Sequence, residues 1–201
     1  MQFKAISAVL AMLVLTACGN VDTATRNAPA IATEPVLGIG QRAAPQAHPV
    51  YALNKLTVLV PDSLTVSEAN DLIPAADIVW RGDAPGDRRE QIKSIFKTAA
   101  AGADVKDGQP VDAIVELVRF HGLSEKARYL TGGNYAIRFR LTLTDPKTGA
   151  VIAPPRLIHA DMPMWGSARD VLSDPASGGE KAIVTRFLSG QIGQLLGHVE
   201  T

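Results

Sequence analysis

Between Tyr135 and Thr144 two sets of residues alternate without a break. Tyr135, Ile137, Phe139, Leu141 and Leu143 form one set; Ala136, Arg138, Arg140, Thr142 and Thr144 form the other. A period of two sends the sets to opposite sides of a strand, so this segment belongs to a sheet with one buried and one wet face. Turn chemistry follows in Asp145-Pro146-Lys147-Thr148-Gly149: Pro146 presets φ and Gly149 tolerates a left-handed backbone. The chain is then expected to return as a strand over Arg156–Met162, with Pro154 and Pro155 confining its start to a sheet edge or a bulge.

The other elements follow from similar signals. Lys55–Val60 is a short apolar strand stopped by Pro61, and Asp77–Arg81 is a second extended candidate. Asp87 as N-cap with Glu90 three residues on reads as a capping box opening a helix. Ile92, Ile95, Phe96, Ala99 and Ala103 fall on one face of that helix, and Gly102 lies near its end. Val111–His121 carries β-branched and apolar residues on both faces, as a central strand does. After a loop rich in Gly, Ser, Asp and Pro, a closing helix spans about Gly179–Gly197, with Val184, Leu188, Ile192, Leu195 and Val199 as its stripe. The order β, β, α, β, β, β, α implies an α+β domain. Its sheet is expected to be antiparallel or mixed, with about four or five strands and two helices packed on one face.

Composition narrows the function classes. The chain has 201 residues, with 20 Lys+Arg against 20 Asp+Glu, which argues against a nucleic-acid partner. Aromatics are only 5%, with Trp80 and Trp165 the two indoles, so a broad sugar-stacking surface is not expected. A single cysteine makes no internal disulfide and no multi-cysteine zinc or iron–sulfur site.

That cysteine has a distinctive place. Lys4 provides a positive start, and Ala5–Val14 is an apolar run too short to span a bilayer as a stable helix. The run leads into Leu15-Thr16-Ala17-Cys18, which resembles the lipobox of bacterial lipoproteins. The resemblance implies cleavage of residues 1–17 as a lipoprotein signal peptide and acylation of Cys18, with palmitate among the chains. Membrane attachment through those chains is the first partner expected, since several together anchor where one binds only marginally. Gly19 and Asn20 follow, with no aspartate beside the cysteine, a pattern similar to outer-membrane sorting in enterobacterial lipoproteins. An outer-membrane lipid anchor with the domain in the periplasm is therefore expected, with an inner-membrane anchor as the alternative. Residues 18–50 carry Pro29, Pro35, Pro45 and Pro49 with little apolar period and read as a flexible tether. Its reach is on the order of 30 Å. Residues 51–201 then form a single domain, large enough to bury roughly 68–70% of its unfolded surface.

Catalytic signatures are sparse. The chain lacks a Gly-x-Ser-x-Gly elbow, a His-Glu-x-x-His helix, a Walker loop and a Gly-x-Gly-x-x-Gly turn. His159 and Asp161, two apart, would share a strand face and supply two metal ligands with only His121 as a third, too few for a zinc site. No catalytic residue, metal site or cofactor is expected.

Two polar stretches stand out: Val66–Asn70 with Ala76–Asp83 and Gly86–Arg88, and Arg119–Tyr129 closing on Gly132-Gly133. On these the chain resembles a family of uncharacterised alphaproteobacterial lipoproteins defined by a domain of unknown function, over most of residues 51–201. The resemblance implies the envelope address and brings no activity. Arg81, Arg88, Arg119 and Arg128 lie in these stretches beside Glu68, Asp77, Asp83, Asp87 and Glu125. Either the charges pair with one another, or Trp80, Arg81, Arg119, His121 and Arg128 form a patch for an anionic or protein partner. The leading expectation is a non-enzymatic partner-binding or accessory lipoprotein. The alternatives are a periplasmic hydrolase using His121 or His159 and a carrier of an apolar ligand.

Overall fold

The computed structural model describes residues 49–164 and 178–198. The signal segment, Cys18, the tether up to residue 48, Trp165, the loop that follows it and Val199 lie outside the described residues. The first strand, β1, is Tyr51–Leu59, beginning four residues before the expected Lys55. β2 is only Ile78–Val79. The first helix, α1, is Arg88–Gly102, and β3 is Gln109–His121. A six-residue helix, α2, occupies Glu125–Leu130. β4 is Gly133–Thr144, β5 is Val151–His159 and β6 is Met162–Met164. The closing helix, α3, is Gly179–Leu195.

The fold is α+β with a mixed sheet, as expected, but the described residues hold six strands and three helices. The sheet order is β1-β3-β4-β5, with β2 also on β3 and β6 also on β4. β1 and β3 are parallel, with α1 between them in sequence. β3 with β4, and β4 with β5, are antiparallel. The expected return strand over Arg156–Met162 is divided: β5 starts earlier, at Val151, and Met162 opens β6. Pro154 and Pro155 lie inside β5, an edge strand, where the register with β4 slips between Leu143/Ala153 and Leu141/Arg156. Proline has no N–H for the ladder, so an edge and an irregularity are where it is tolerated.

α1 is placed by its cap: the Asp87 carboxylate accepts from the backbone N–H of Arg89 and Glu90. The reciprocal half of a capping box is missing, because Glu90 turns instead to Lys93 Nζ at 2.6 Å. α2 had no apolar period to announce it. It is nucleated by Ser124, wholly buried, whose hydroxyl accepts from Ala127 N–H and donates to the Asp71 carbonyl.

The core lies between one sheet face and the helices α1 and α3. Val111, Val115, Leu117, Ile137, Phe139 and Leu143 face Ile92, Ile95, Phe96, Val184 and Leu188. Phe96 stacks edge-to-face on Phe139, with centroids 5.4 Å apart. β3 is central, as expected, but it is buried on one face only. Ile114 and Val118 on its outer side are half-buried and alternate with Asp112 and Glu116. Among the described residues α1 and α3 pack on the other face, leaving this outer face open.

Candidate functional site

The two polar stretches meet. Asn70 Oδ1 accepts from Lys126 N–H at 2.7 Å, and its Nδ2 donates to Glu125 at 3.4 Å. Within the first stretch, Glu68 sits between two arginines. Arg88 Nε donates to it at 2.7 Å and Nη2 at 3.1 Å, while Arg81 ion-pairs with the same carboxylate. Hydrogen bonding from Arg88 holds the Glu68 carboxyl below its ordinary value, against a smaller opposing effect of burial. Arg88 is only 4% exposed, and its remaining donors reach the Asp83 and Ala84 carbonyls and Gln91. Each of its three nitrogens therefore has a hydrogen-bond partner, as a buried guanidinium needs.

Asp83 joins this cluster to α3. It accepts from Trp80 Nε1 at 2.8 Å and from Lys181 Nζ at 2.7 Å. Burial pushes its carboxyl up, and the bonds from Lys181 and Trp80 outweigh that, leaving it lowered. Next along α3, Glu180 is buried and bonded to both the Arg128 guanidinium and the Tyr135 hydroxyl. Burial raises the Glu180 carboxyl, only partly offset by Tyr135 and Arg128. It raises the Tyr135 hydroxyl as well.

Arg119 and His121 stand elsewhere, on the outer side of β3. His121 Nδ1 lies 3.0 Å from the Ala76 carbonyl and 3.0 Å from Arg119 Nη2. One ring nitrogen carries either a proton or a lone pair, so it serves only one of these neighbours. Burial, aided by the Arg119 charge, lowers the imidazole and favours its neutral form. The nearby Asp77 carboxylate is held by Thr65 through N–H at 2.9 Å and hydroxyl at 2.8 Å.

The five residues expected to share a patch thus occupy four environments. Trp80 is wholly buried, its ring edge-to-face with Phe120 at 5.5 Å and its one polar atom bound to Asp83. The indole is a core residue, and it offers no surface to a partner. Arg81 belongs to the Glu68 cluster and Arg128 to Glu180, whereas Arg119 and His121 face the open side of the sheet. His159 and Asp161 do not share a strand: His159 ends β5, while Asp161 lies beyond it, 3.7 Å from Arg138. Among the described residues no group of three or more His, Cys, Asp or Glu is placed to share a metal ion.

Sequence reasoning missed Glu180, Tyr135 and Lys181, the partners that hold these charges. Glu180 and Arg128 are 52 residues apart, and Lys181 and Asp83 are 98 apart. No local spacing announces such pairs. Also missed was a set of exposed apolar chains on the joined stretches: Leu72 at 43%, Ile73 at 84%, Tyr129 at 64% and Leu130 at 67%. Between the sheet and α3, one void of about 20 Å³ is lined by Leu56, Val115, Phe139 and Ile192 among others. That holds one water at most and no acyl chain. A wider groove of about 410 Å³ runs between β5 and the end of α3, past Tyr51, Pro154, Pro155 and Leu195.

No curated protein matches the chain. Among solved structures, it is similar to a Xanthomonas campestris protein of family DUF330 at 14% identity and a TM-score of 0.41, covering 77% of this chain and 87% of that one. It is also similar to a "putative lipoprotein" from Caulobacter crescentus at 12% identity and a TM-score of 0.29, covering 57% of this chain and 83% of that one. The model of a family of unknown function, DUF6778, matches residues 51–201 from the first residue of β1 onward, and the chain belongs to that family.

Proposed function

We propose that this chain is a lipid-anchored protein of the bacterial envelope whose folded domain is a non-enzymatic partner-binding module. The anchor rests on Leu15-Thr16-Ala17-Cys18 and on Cys18 being the single cysteine. Gly19-Asn20 favours the outer membrane, with the domain held in the periplasm by the tether. Among the described residues no helix is long and apolar enough to cross a membrane.

The observation that carries the binding role is the apolar group on the joined stretches. The Asn70 and Ser124 bonds fix the 70–73 loop against the start of α2. Leu72 and Ile73 follow directly, and Tyr129 and Leu130 lie one short helix away, within about 10 Å along its axis. Leu72, Ile73 and Leu130, exposed apolar chains built on a braced loop and helix, make a surface suited to contact with a protein. The contact thus moves from Arg81 and Arg128, which are held by Glu68 and Glu180, to the apolar residues beside them.

Two measurements test the reading. Cells given labelled palmitate are expected to mark the wild-type protein and not Cys18→Ser; label on that variant removes the anchor. A cross-linked pull-down of the full-length protein from its own envelope is expected to bring down one dominant protein. Ile73→Ser with Leu130→Ser is expected to abolish that capture while thermal unfolding stays within about 2 °C of wild type, as for surface changes. Undiminished capture by that double variant would remove the surface from the argument.

A further inference from the structure

We infer that the end of the open sheet face carrying Arg119, Arg138 and His159 is a binding site for a phosphate group. This rests on neither the lipid anchor nor the apolar contact surface. The register pairs Arg119 of β3 with Arg138 of β4, and Arg138 in turn with His159 of β5. Paired residues point to the same side, so one row across three strands carries two guanidiniums and an imidazole. Arg140 stands in the neighbouring row, opposite Glu116 on one side and Leu157 on the other.

Facing arginines have Cβ atoms about 5 Å apart, and like charges so placed repel. Such a pair is expected to be offset by acids, and here the offset is incomplete. Asp161 reaches Arg138 only at 3.7 Å, and Glu116 reaches Arg140 at 3.6 Å. Arg138 Nε is enclosed without a hydrogen-bond partner among the described residues. Arg119 has no carboxylate within ion-pair distance among them. Its hydrogen-bond neighbour is His121 Nδ1, which the Ala76 carbonyl also claims. Asp77, which feels the Arg119 charge without an ion pair to it, has its Oδ2 held by two bonds from Thr65.

The chemistry selects a phosphate over a carboxylate. One guanidinium fork saturates a carboxylate in a plane. Two forks on adjacent strands, with a ring nitrogen beyond, offer donors in more than one plane, which the free oxygens of a tetrahedral phosphate group, ester or inorganic, can accept. The row is bordered on the same face by Val118 and by Leu157, which is 49% exposed. That border suits a phosphate carried by an amphiphile as well as a free ion, and the experiment separates the two.

The full-length protein in a neutral detergent is titrated calorimetrically with inorganic phosphate and, separately, with the same micelles doped with phosphatidylglycerol. Saturable binding is expected, weakened about tenfold or more in both Arg119→Gln and Arg138→Gln. It is expected to be unchanged in Arg156→Gln, whose side chain faces the helices and donates to the Leu195 carbonyl. Heat with inorganic phosphate identifies a free oxyanion, and heat with the doped micelles alone identifies a lipid phosphodiester. Without phosphate, Arg119→Gln is expected to melt no earlier than wild type, since it relieves repulsion. Absence of heat in both titrations, or unaltered binding in the two arginine variants, overturns the site.

Discussion

Trp80→Ala is expected to lower the unfolding free energy by about 3–5 kcal/mol, a drop of about 10 °C in melting temperature for a domain of this size. Three losses coincide. The indole is wholly buried, and its removal opens a cavity beside Phe120 that the surrounding sheet and helices cannot close. Its ring also occupies the space over Gly82, where a Cβ would meet ring carbons at 2.3 Å and 2.4 Å, so the loop is shaped around it. Finally, Asp83 loses one of its two side-chain donors and keeps only Lys181. Trp80→Phe retains the aromatic contact and gives up the hydrogen bond and some volume, so a smaller loss of about 1–2 kcal/mol is expected. Urea unfolding of the two variants beside wild type measures this. Wild-type stability in Trp80→Ala would mean that the ring is not packed in the core. It follows that loss of a partner in Trp80→Ala reports damage to the fold and is no evidence of contact through the indole.

Arg128→Met is expected to cost about 3–5 kcal/mol, because it strands a buried carboxylate. Glu180 and Arg128 side chains are 5% and 16% exposed. With the guanidinium gone, Tyr135 is the one side-chain donor left to Glu180 among the described residues. Adding Glu180→Gln to Arg128→Met is expected to recover part of the loss, since no charge is then left unpaired; if the double variant is worse than the single, the interaction is not ionic. The pH dependence has a definite sign. Burial holds the folded Glu180 carboxyl above 4.5, so the folded state binds its proton more tightly than the unfolded chain does. Stability from this group is full below about 4.5, falls as pH rises through the window up to the raised folded value, and is level beyond it. Glu180→Gln lacks that slope, so the wild type is expected to lose ground against it as pH rises through the window. The difference between the two curves is the quantity to measure. Glu68 and Asp83, held below their ordinary values, slope the other way and cancel in the difference.

Local signals in the sequence carried most of the scaffold. The alternation over Tyr135–Thr144 is the burial pattern of β4, and the Asp87 cap opens α1 where the chain says it should. The proline pair lies on an edge strand at a register slip. These elements were legible because each depends on a repeat, a cap or a turn written within a few residues of itself. α2 and β6 were not, since a helix of six residues and a strand of three have too few positions to show a period.

For the site, composition and spacing identified which stretches are unusual and which ions they carry. They did not say how those ions divide. Trp80 reads from the sequence as a candidate for the partner patch, and burial makes it core. Arg81 and Arg128 are absorbed by Glu68 and Glu180, while Arg119 and Arg138 become neighbours only when β3 and β4 pair across a bulge at Val118. Secondary structure is set by interactions over three or four residues, and those the sequence displays. Which charge meets which partner depends on contacts between residues from 13 to 98 positions apart, and these exist only once the sheet has formed and the closing helix has packed on it.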